Sequence, residues 1–248
     1  GSLRMSRISS NKTRARDENL LFFKRLLKNP ASVGAVVPSS LALSRFMCQH
    51  VECHSKEEFV VEIGAGTGRF TQALLNQGLL VSQIIAVELD SELANFLRNR
   101  FPELIVIEGD ATQLEKLLPS YVLGKVRTVI SGIPMVNMPK DVQKEIVRSA
   151  FSILTDGGKF LQFTYGPVSP IPARSLGLVK KRLGHIFLNF PPATVWGYER
   201  VNTKTGERQK KDLVKSIKSK FKLAKVKANA VQKEIKDIHL KEFFSYFS

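Results

Sequence analysis

Cysteine, tryptophan and acidic residues are scarce in this sequence, and each scarcity excludes something. The two cysteines, Cys48 and Cys53, are too few for a disulfide framework or a cysteine-based metal cluster. They fit a reducing compartment, with packing roles for both. His50 and His54 have no partners at ligand spacing, so no metal site is expected. No apolar run reaches the roughly 18 residues needed to cross a bilayer. The N-terminal stretch is basic but has no long apolar core, so a secretory signal is not expected either. Acids number 22 against 38 lysines and arginines, a net charge of +16. What remains is an ordinary apolar content of 43% in 248 residues, enough for one α/β domain with additions.

The positive charge is uneven. Residues 201–248 carry twelve Lys and one Arg against five acids, and residues 1–16 carry five basic residues and no acid. Thirteen of the sixteen net charges therefore sit at the two ends. An anionic partner is expected there, either a membrane surface rich in acidic lipid or a nucleic acid. The pattern divides the chain into three parts: a basic N-terminal segment (1–30), a central domain (31–200) and a Lys-rich extension (201–248). Within the first, residues 13–28 read as an amphipathic helix, with Leu20, Phe22, Phe23, Leu26 and Leu27 opposite Arg16, Lys24, Arg25 and Lys28. It fits a lid on the core or a helix lying among lipid headgroups. After a small-residue loop over 31–38, Ser39 or Ser40 is expected to cap a helix reaching about His50. In the extension, Leu213, Ile217, Phe221, Ala224, Ala228, Val231, Ile235 and Ile238 mark a long amphipathic helix. That helix suits packing on the domain or attachment to an anionic surface.

The central domain is organised around Val60-Val61-Glu62-Ile63-Gly64-Ala65-Gly66-Thr67-Gly68. An apolar run ends in a glycine-rich turn, and a helical pattern follows through Phe70, Leu74 and Leu75. Four more strands are expected near Ile84–Glu88, Leu104–Ile107, Val126–Ile130 and Lys159–Tyr165, with helices between them. A short basic helix over Arg174–Arg182 and two strands around His185–Phe190 and Thr194–Glu199 complete the domain. The alternation predicts a doubly wound, mostly parallel seven-stranded sheet, with ligands at the carboxyl ends of its strands.

Those ends carry polar residues where a nucleoside ligand needs them. Glu88, just after the second strand, can accept hydrogen bonds from both hydroxyls of a ribose. Asp110 can accept from an adenine amino group, and the Ala111 backbone can serve a ring nitrogen. Glu62 lies under the glycine turn, where a cationic end of the ligand could rest. A nicotinamide dinucleotide is the alternative ligand, but G-x-G-x-G is not the dinucleotide spacing G-x-G-x-x-G.

Glu62 to Gly68, Glu88, Gly109-Asp110-Ala111 and Ser131-Gly132-Ile133-Pro134 resemble the four sequential motifs of class I S-adenosylmethionine methyltransferases. The resemblance implies a Rossmann-like fold, S-adenosylmethionine as cofactor, and contacts to it from Glu62, Gly64, Ala65, Gly66, Gly68, Glu88, Leu89, Asp110, Ala111 and Ser131. Two families share this layout, the rRNA adenine dimethylases and the bacterial phospholipid N-methyltransferases. Dimethylases carry Asn-(Leu/Ile)-Pro-(Tyr/Phe) at the fourth motif, whereas this chain has Gly132-Ile133-Pro134-Met135 and so lacks both amide and aromatic. The phospholipid enzymes have a Gly-Leu-Pro-like fourth motif, a segment like Gly34-Ala35-Val36-Val37-Pro38-Ser39-Ser40 and a Thr-Tyr-Gly-Pro segment, here Thr164-Tyr165-Gly166-Pro167. The resemblance spans about residues 18–200.

It implies methylation of phosphatidylethanolamine and its mono- and dimethyl forms. Tyr165 is expected to orient the amine beside the Gly132 and Ile133 carbonyls. Arg174, Lys180 and Arg182, with Lys181, are expected to meet the lipid phosphate. The enzyme is expected to be cytoplasmic, held peripherally on the inner face of the membrane by its basic ends. An rRNA adenine dimethylase and a non-catalytic methyltransferase-like nucleic-acid-binding protein are the alternatives.

Overall fold

The computed structural model describes residues 41–187 and 192–201. The helix expected over 13–28, the loop over 31–38, the capping serines and nearly all of the 201–248 extension lie outside the described residues.

The described part is built on one seven-stranded sheet flanked by helices. Its elements are α1 (Leu41–Gln49), β1 (Phe59–Ile63), α2 (Arg69–Asn76), β2 (Ile84–Glu88), α3 (Ser91–Arg100), β3 (Ile105–Glu108), α4 (Leu114–Leu117), β4 (Val126–Ser131), α5 (Lys140–Ile153), β5 (Leu154–Tyr165), β6 (Leu178–Ile186) and β7 (Ala193–Arg200). The strand order is β3-β2-β1-β4-β5-β7-β6. Strands β1 to β5 run parallel, and β7 enters antiparallel between β5 and β6. The predicted fold class is the observed one.

Both faces of the sheet are covered, so the strand sequences are apolar on both sides. Val61, Ile63, Ile85, Val87, Val129 and Phe160 face a core closed by Ile146, Val147 and Ala150 of α5. Val60, Ile84, Ala86, Ile130 and Leu161 face the opposite core with Leu43 and Met47 of α1, Phe70 and Leu74 of α2 and Leu97 of α3. Cys48 is buried in this second core, where loss of solvation pushes its thiol pKa far up. That matches the packing role expected of it. Among the described residues no helix is long and apolar enough to cross a membrane.

Two expectations need correction. The segment 174–182 is not a helix. A short 3-10 turn, Ala173–Leu176, ends at Gly177 with φ 67°, and Leu178–Ile186 is the outer strand β6. Lys180, Lys181 and Arg182 lie on an exposed edge, where charge discourages pairing with another chain. The β6–β7 hairpin does close the sheet edge, but its first strand begins well before His185. The second correction concerns β5. Helix α5 stops at Ile153, and pairing with β4 already starts at Leu154↔Val126, before the Asp156-Gly157-Gly158 turn, then resumes at Lys159↔Thr128 after a register shift.

Candidate active site

The strand order reverses between β1 and β4, and the glycine turn after β1 opens at that point, where α/β sheets bind ligands. Gly64 and Gly66 have φ of 65° and 57°, a region that other residues adopt only with strain. A Cβ on Gly64 would stand 2.5 Å from the Ile133 side chain. A Cβ on Gly66 would meet nothing nearer than 4.0 Å. One glycine thus closes the turn against β4, and the other leaves open space above the backbone.

Two buried acids stand beneath the turn. Glu88, at the end of β2, accepts from Gly66 N at 2.8 Å and Asp90 N at 2.9 Å, so it ties the first turn to the second. Each oxygen keeps a second lone pair for a ribose hydroxyl. Burial raises the Glu88 pKa against the pull of these N–H groups. Glu62 on β1 is fully buried. Thr71 of α2 donates to its Oε2, while its Oε1 has no partner. Desolvation, with Glu88 nearby as a second cause, raises Glu62 to about 8. A buried carboxylate with an unmatched oxygen is what a cationic amino-acid end would satisfy.

After β3, Asp110 caps the 3-10 turn Ala111–Gln113 by accepting from Thr112 N at 2.9 Å, and Ala111 is buried behind it. Leu89 is half-buried beside Glu88. These residues fit S-adenosylmethionine. Glu62 would meet its ammonium group, Gly64 to Gly68 would leave room for its backbone, and Glu88, Leu89, Asp110 and Ala111 would hold the nucleoside.

The turn after β4 is held from three sides. Ser131 is buried, and its Oγ accepts from Ile133 N at 3.2 Å. Gln162 of β5, the register partner of Ser131, donates to the Ile133 carbonyl at 2.8 Å. Gln143 of α5 donates to the Met138 carbonyl at 3.3 Å and also to that of Met135. The Gly132 and Pro134 carbonyls accept no hydrogen bond from the described residues. Gly132 has no room for a side chain, because a Cβ there would lie 2.6 Å from the Gly64 carbonyl oxygen. Met135 is fully buried.

Tyr165 ends β5 half-buried. Its ring meets Phe163 edge-on at 5.6 Å, and Phe163 in turn lies 6.2 Å from Phe70, which flanks Gly132. Tyr165 is therefore joined to the β4 turn through aromatic packing. The cations expected at the pocket mouth are not gathered there. Arg174 precedes the start of β6, toward the amino ends of the parallel strands. Lys180 pairs with Tyr198, which pairs with Phe160, well short of the β5 end, and its ammonium sits 5.5 Å over the Trp196 ring. Arg182 shares a row with Ser131 but stands three strands away, about 14 Å at ordinary strand spacing.

The sequence reading missed Thr71, Gln143 and Gln162. Each is a polar residue on an otherwise apolar buried face, and that oddity was the available signal.

Comparison with known proteins agrees with this geometry. Residues 60–158 match the model of a methyltransferase domain. An ornithine lipid N-methyltransferase from Singulisphaera acidiphila is 31% identical over 150 residues, 59% of this chain and 78% of that protein. A ribosomal RNA small subunit methyltransferase A from Synechococcus sp. (strain JA-2-3B'a(2-13)) is 31% identical over 131 residues, and the chain spans 41% of its length. Among solved structures, TrmN from Thermus thermophilus superposes with a TM-score of 0.51 at 14% identity, over 71% of this chain and 53% of that one. At that identity the likeness concerns the fold alone.

Proposed function

The chain belongs to the class I S-adenosylmethionine-dependent methyltransferases, and from that premise we propose that it methylates the amine of a membrane lipid, with phosphatidylethanolamine and its mono- and dimethyl forms as the first acceptors. The observation that carries this reading is the β4 turn. A side-chain amide at position 132 would collide with the Gly64 carbonyl, and Met135 is buried where a stacking aromatic would have to be exposed. A flipped adenine would find neither its amide nor its platform. The relative matched over most of its own length is named as a lipid N-methyltransferase, and the rRNA enzyme is matched over less than half of its length.

The rim of the site suits a lipid surface. Val136, Val168 and Phe187 follow the carboxyl ends of β4, β5 and β6, strands that point the same way, and all three are exposed. The basic ends of the chain add attraction to acidic headgroups and favour a peripheral, cytoplasmic-face location.

Bound S-adenosylmethionine supplies an electrophilic methyl group on a sulfonium. The protein must deliver a neutral amine in line with it. A primary ammonium has a pKa near ~10, so only about one in a thousand is neutral at pH 7. Burial at the strand ends favours the neutral form. The Ile133 carbonyl expected beside the amine is held by Gln162, so the Gly132 and Pro134 carbonyls, which accept nothing from the described residues, can accept hydrogen bonds from the amine, and Tyr165 can orient the nitrogen lone pair. Alignment of this kind can account for much of the rate.

The test is methyl transfer from labelled S-adenosylmethionine to vesicles of phosphatidylethanolamine with acidic lipid, to ornithine lipid and to unmodified rRNA. Label in the phosphatidylethanolamine supports the reading. Label only in ornithine lipid moves the acceptor to an aminoacyl lipid. Label only in RNA overturns it.

A further inference from the structure

A groove of about 830 Å³ runs along α2, outside the strand-end site. Three guanidinium groups from three elements line it: Arg45 from α1, Arg69 from the first turn of α2 and Arg100 from the last turn of α3. The amides of Gln72, Asn76 and Gln77 supply further polar lining, and none of the described lining residues is acidic. Arg100 donates to the Thr67 carbonyl at 2.8 Å and lies over the Phe101 ring, so its head is held in place. Its remaining N–H donors are available to a ligand. Arg45 and Arg100 meet no acid among the described residues, and cations on one concavity repel each other unless an anion joins them. Guanidinium groups bind phosphate in bidentate fashion, and neutral amides can donate to ester oxygens.

We propose that this groove binds the phosphate group of an acidic membrane lipid, so that the folded domain, and not only its basic ends, holds the bilayer. Thr67 lines both the groove and the glycine turn, so a headgroup held here lies beside the cofactor site. The choice of a lipid as the source of the phosphate rests on the function proposed above. The preference for an anion rests on the lining alone.

The experiment is sedimentation of the full chain with vesicles of phosphatidylethanolamine and phosphatidylglycerol, without S-adenosylmethionine, so that the readout does not depend on methyl transfer. A basic residue near an acidic surface contributes about a fivefold factor in binding. Arg45→Glu changes two charge units and should weaken binding about 25-fold, and Gln72→Glu about fivefold. Arg148→Glu, exposed on α5 across the sheet, is the control and should change binding less than twofold. Cofactor binding should be unaltered in all three, which separates a lost groove from a lost fold. Glycerol 3-phosphate serves as the soluble probe. Weak displacement of the protein from vesicles assigns the site to lipid, whereas full displacement at low concentration assigns it to a free phosphate ester and overturns the proposal. An equal loss in Arg148→Glu, or vesicle binding unchanged in both groove variants, also overturns it, as does loss of RNA binding alone. Vesicle binding that fails in the groove variants while no lipid is ever methylated would sink the proposed activity and leave the groove standing.

Discussion

The side-chain nitrogen of Gln162 lies 2.8 Å from the carbonyl oxygen of Ile133, and the same nitrogen reaches the Phe163 carbonyl at 3.0 Å. A fully buried amide on β5 thus fixes the turn that follows β4, and Ser131 and Gln143 fix it from the other sides. Gly132, Ile133, Pro134 and Met135 carry no polar side chain to hold the acceptor, so their backbone must be held still instead. Gln162→Leu removes the donor and leaves a buried carbonyl short of a partner, a loss of about 1–3 kcal/mol. The expected result is kcat about tenfold lower with the S-adenosylmethionine Kd unchanged, measured by single-turnover kinetics and calorimetry. An equal loss in Kd would show that Gln162 supports the cofactor half instead.

Glu62 gives the site a pH signature. Its pKa, about 8, lies above that of an exposed carboxylate, so the folded protein holds a proton that the unfolded chain releases. Its contribution to stability is present at pH 4 and is lost as pH rises toward about 8. The melting temperature without ligand should fall over that range, and Glu62→Gln should flatten the fall. Cofactor affinity should move the other way, rising between pH 6 and 8 as the carboxylate forms opposite the ammonium group. An affinity flat across that window would show that Glu62 does not meet the cofactor's cation.

Glu88 should matter for the cofactor more than for the acceptor. Glu88→Ala removes the acceptor of Gly66 N and Asp90 N as well as a charged partner for a ribose. Hydrogen bonds to a charged group contribute about 1.5–3 kcal/mol. Cofactor Kd should therefore rise at least about tenfold, as read by calorimetry, with a lower melting temperature.

Gly132→Asn recreates the amide of the adenine dimethylases but should not create their activity. The new Cβ would come within 2.6 Å of the Gly64 carbonyl, and backbone cannot give way as a flexible side chain can. Overpacking of this kind costs about 1–3 kcal/mol. Expected are a lower melting point, weaker cofactor binding and no methyl transfer to RNA.

Tyr165→Phe keeps the ring packed against Phe163 and removes only the hydroxyl. Turnover should fall much further than cofactor affinity, since the ring lies at the end of β5 and not in the turns after β1 to β3. Equal losses in both would remove Tyr165 from the acceptor site.

The fold was legible because its signals are local. The Val60–Gly68 stretch and the acids after β2 and β3 each identify themselves within a few residues. The segment 174–182 was misread because Leu176, Leu178, Val179 and Leu183 fit helix and edge strand alike. Only pairing with β7, the other arm of the hairpin, decides between them. The site was legible where a residue type announces its chemistry, as at Glu62, Glu88 and Asp110. It was not legible where a role depends on contact between elements. Thr71 matters because α2 lays it on Glu62, and Gln162 because β5 lies beside β4.

The sheet order also implies a division of labour. The residues proposed to hold the methyl donor hang, Ser131 apart, from β1, β2 and β3 on one side of the switch point. The proposed acceptor side hangs from β4 to β7, and because β7 is inserted antiparallel, β5 and β6 both end on that proposed acceptor side. A chimaera exchanging residues 166–192 between relatives would transplant acceptor choice and leave the donor grip untouched.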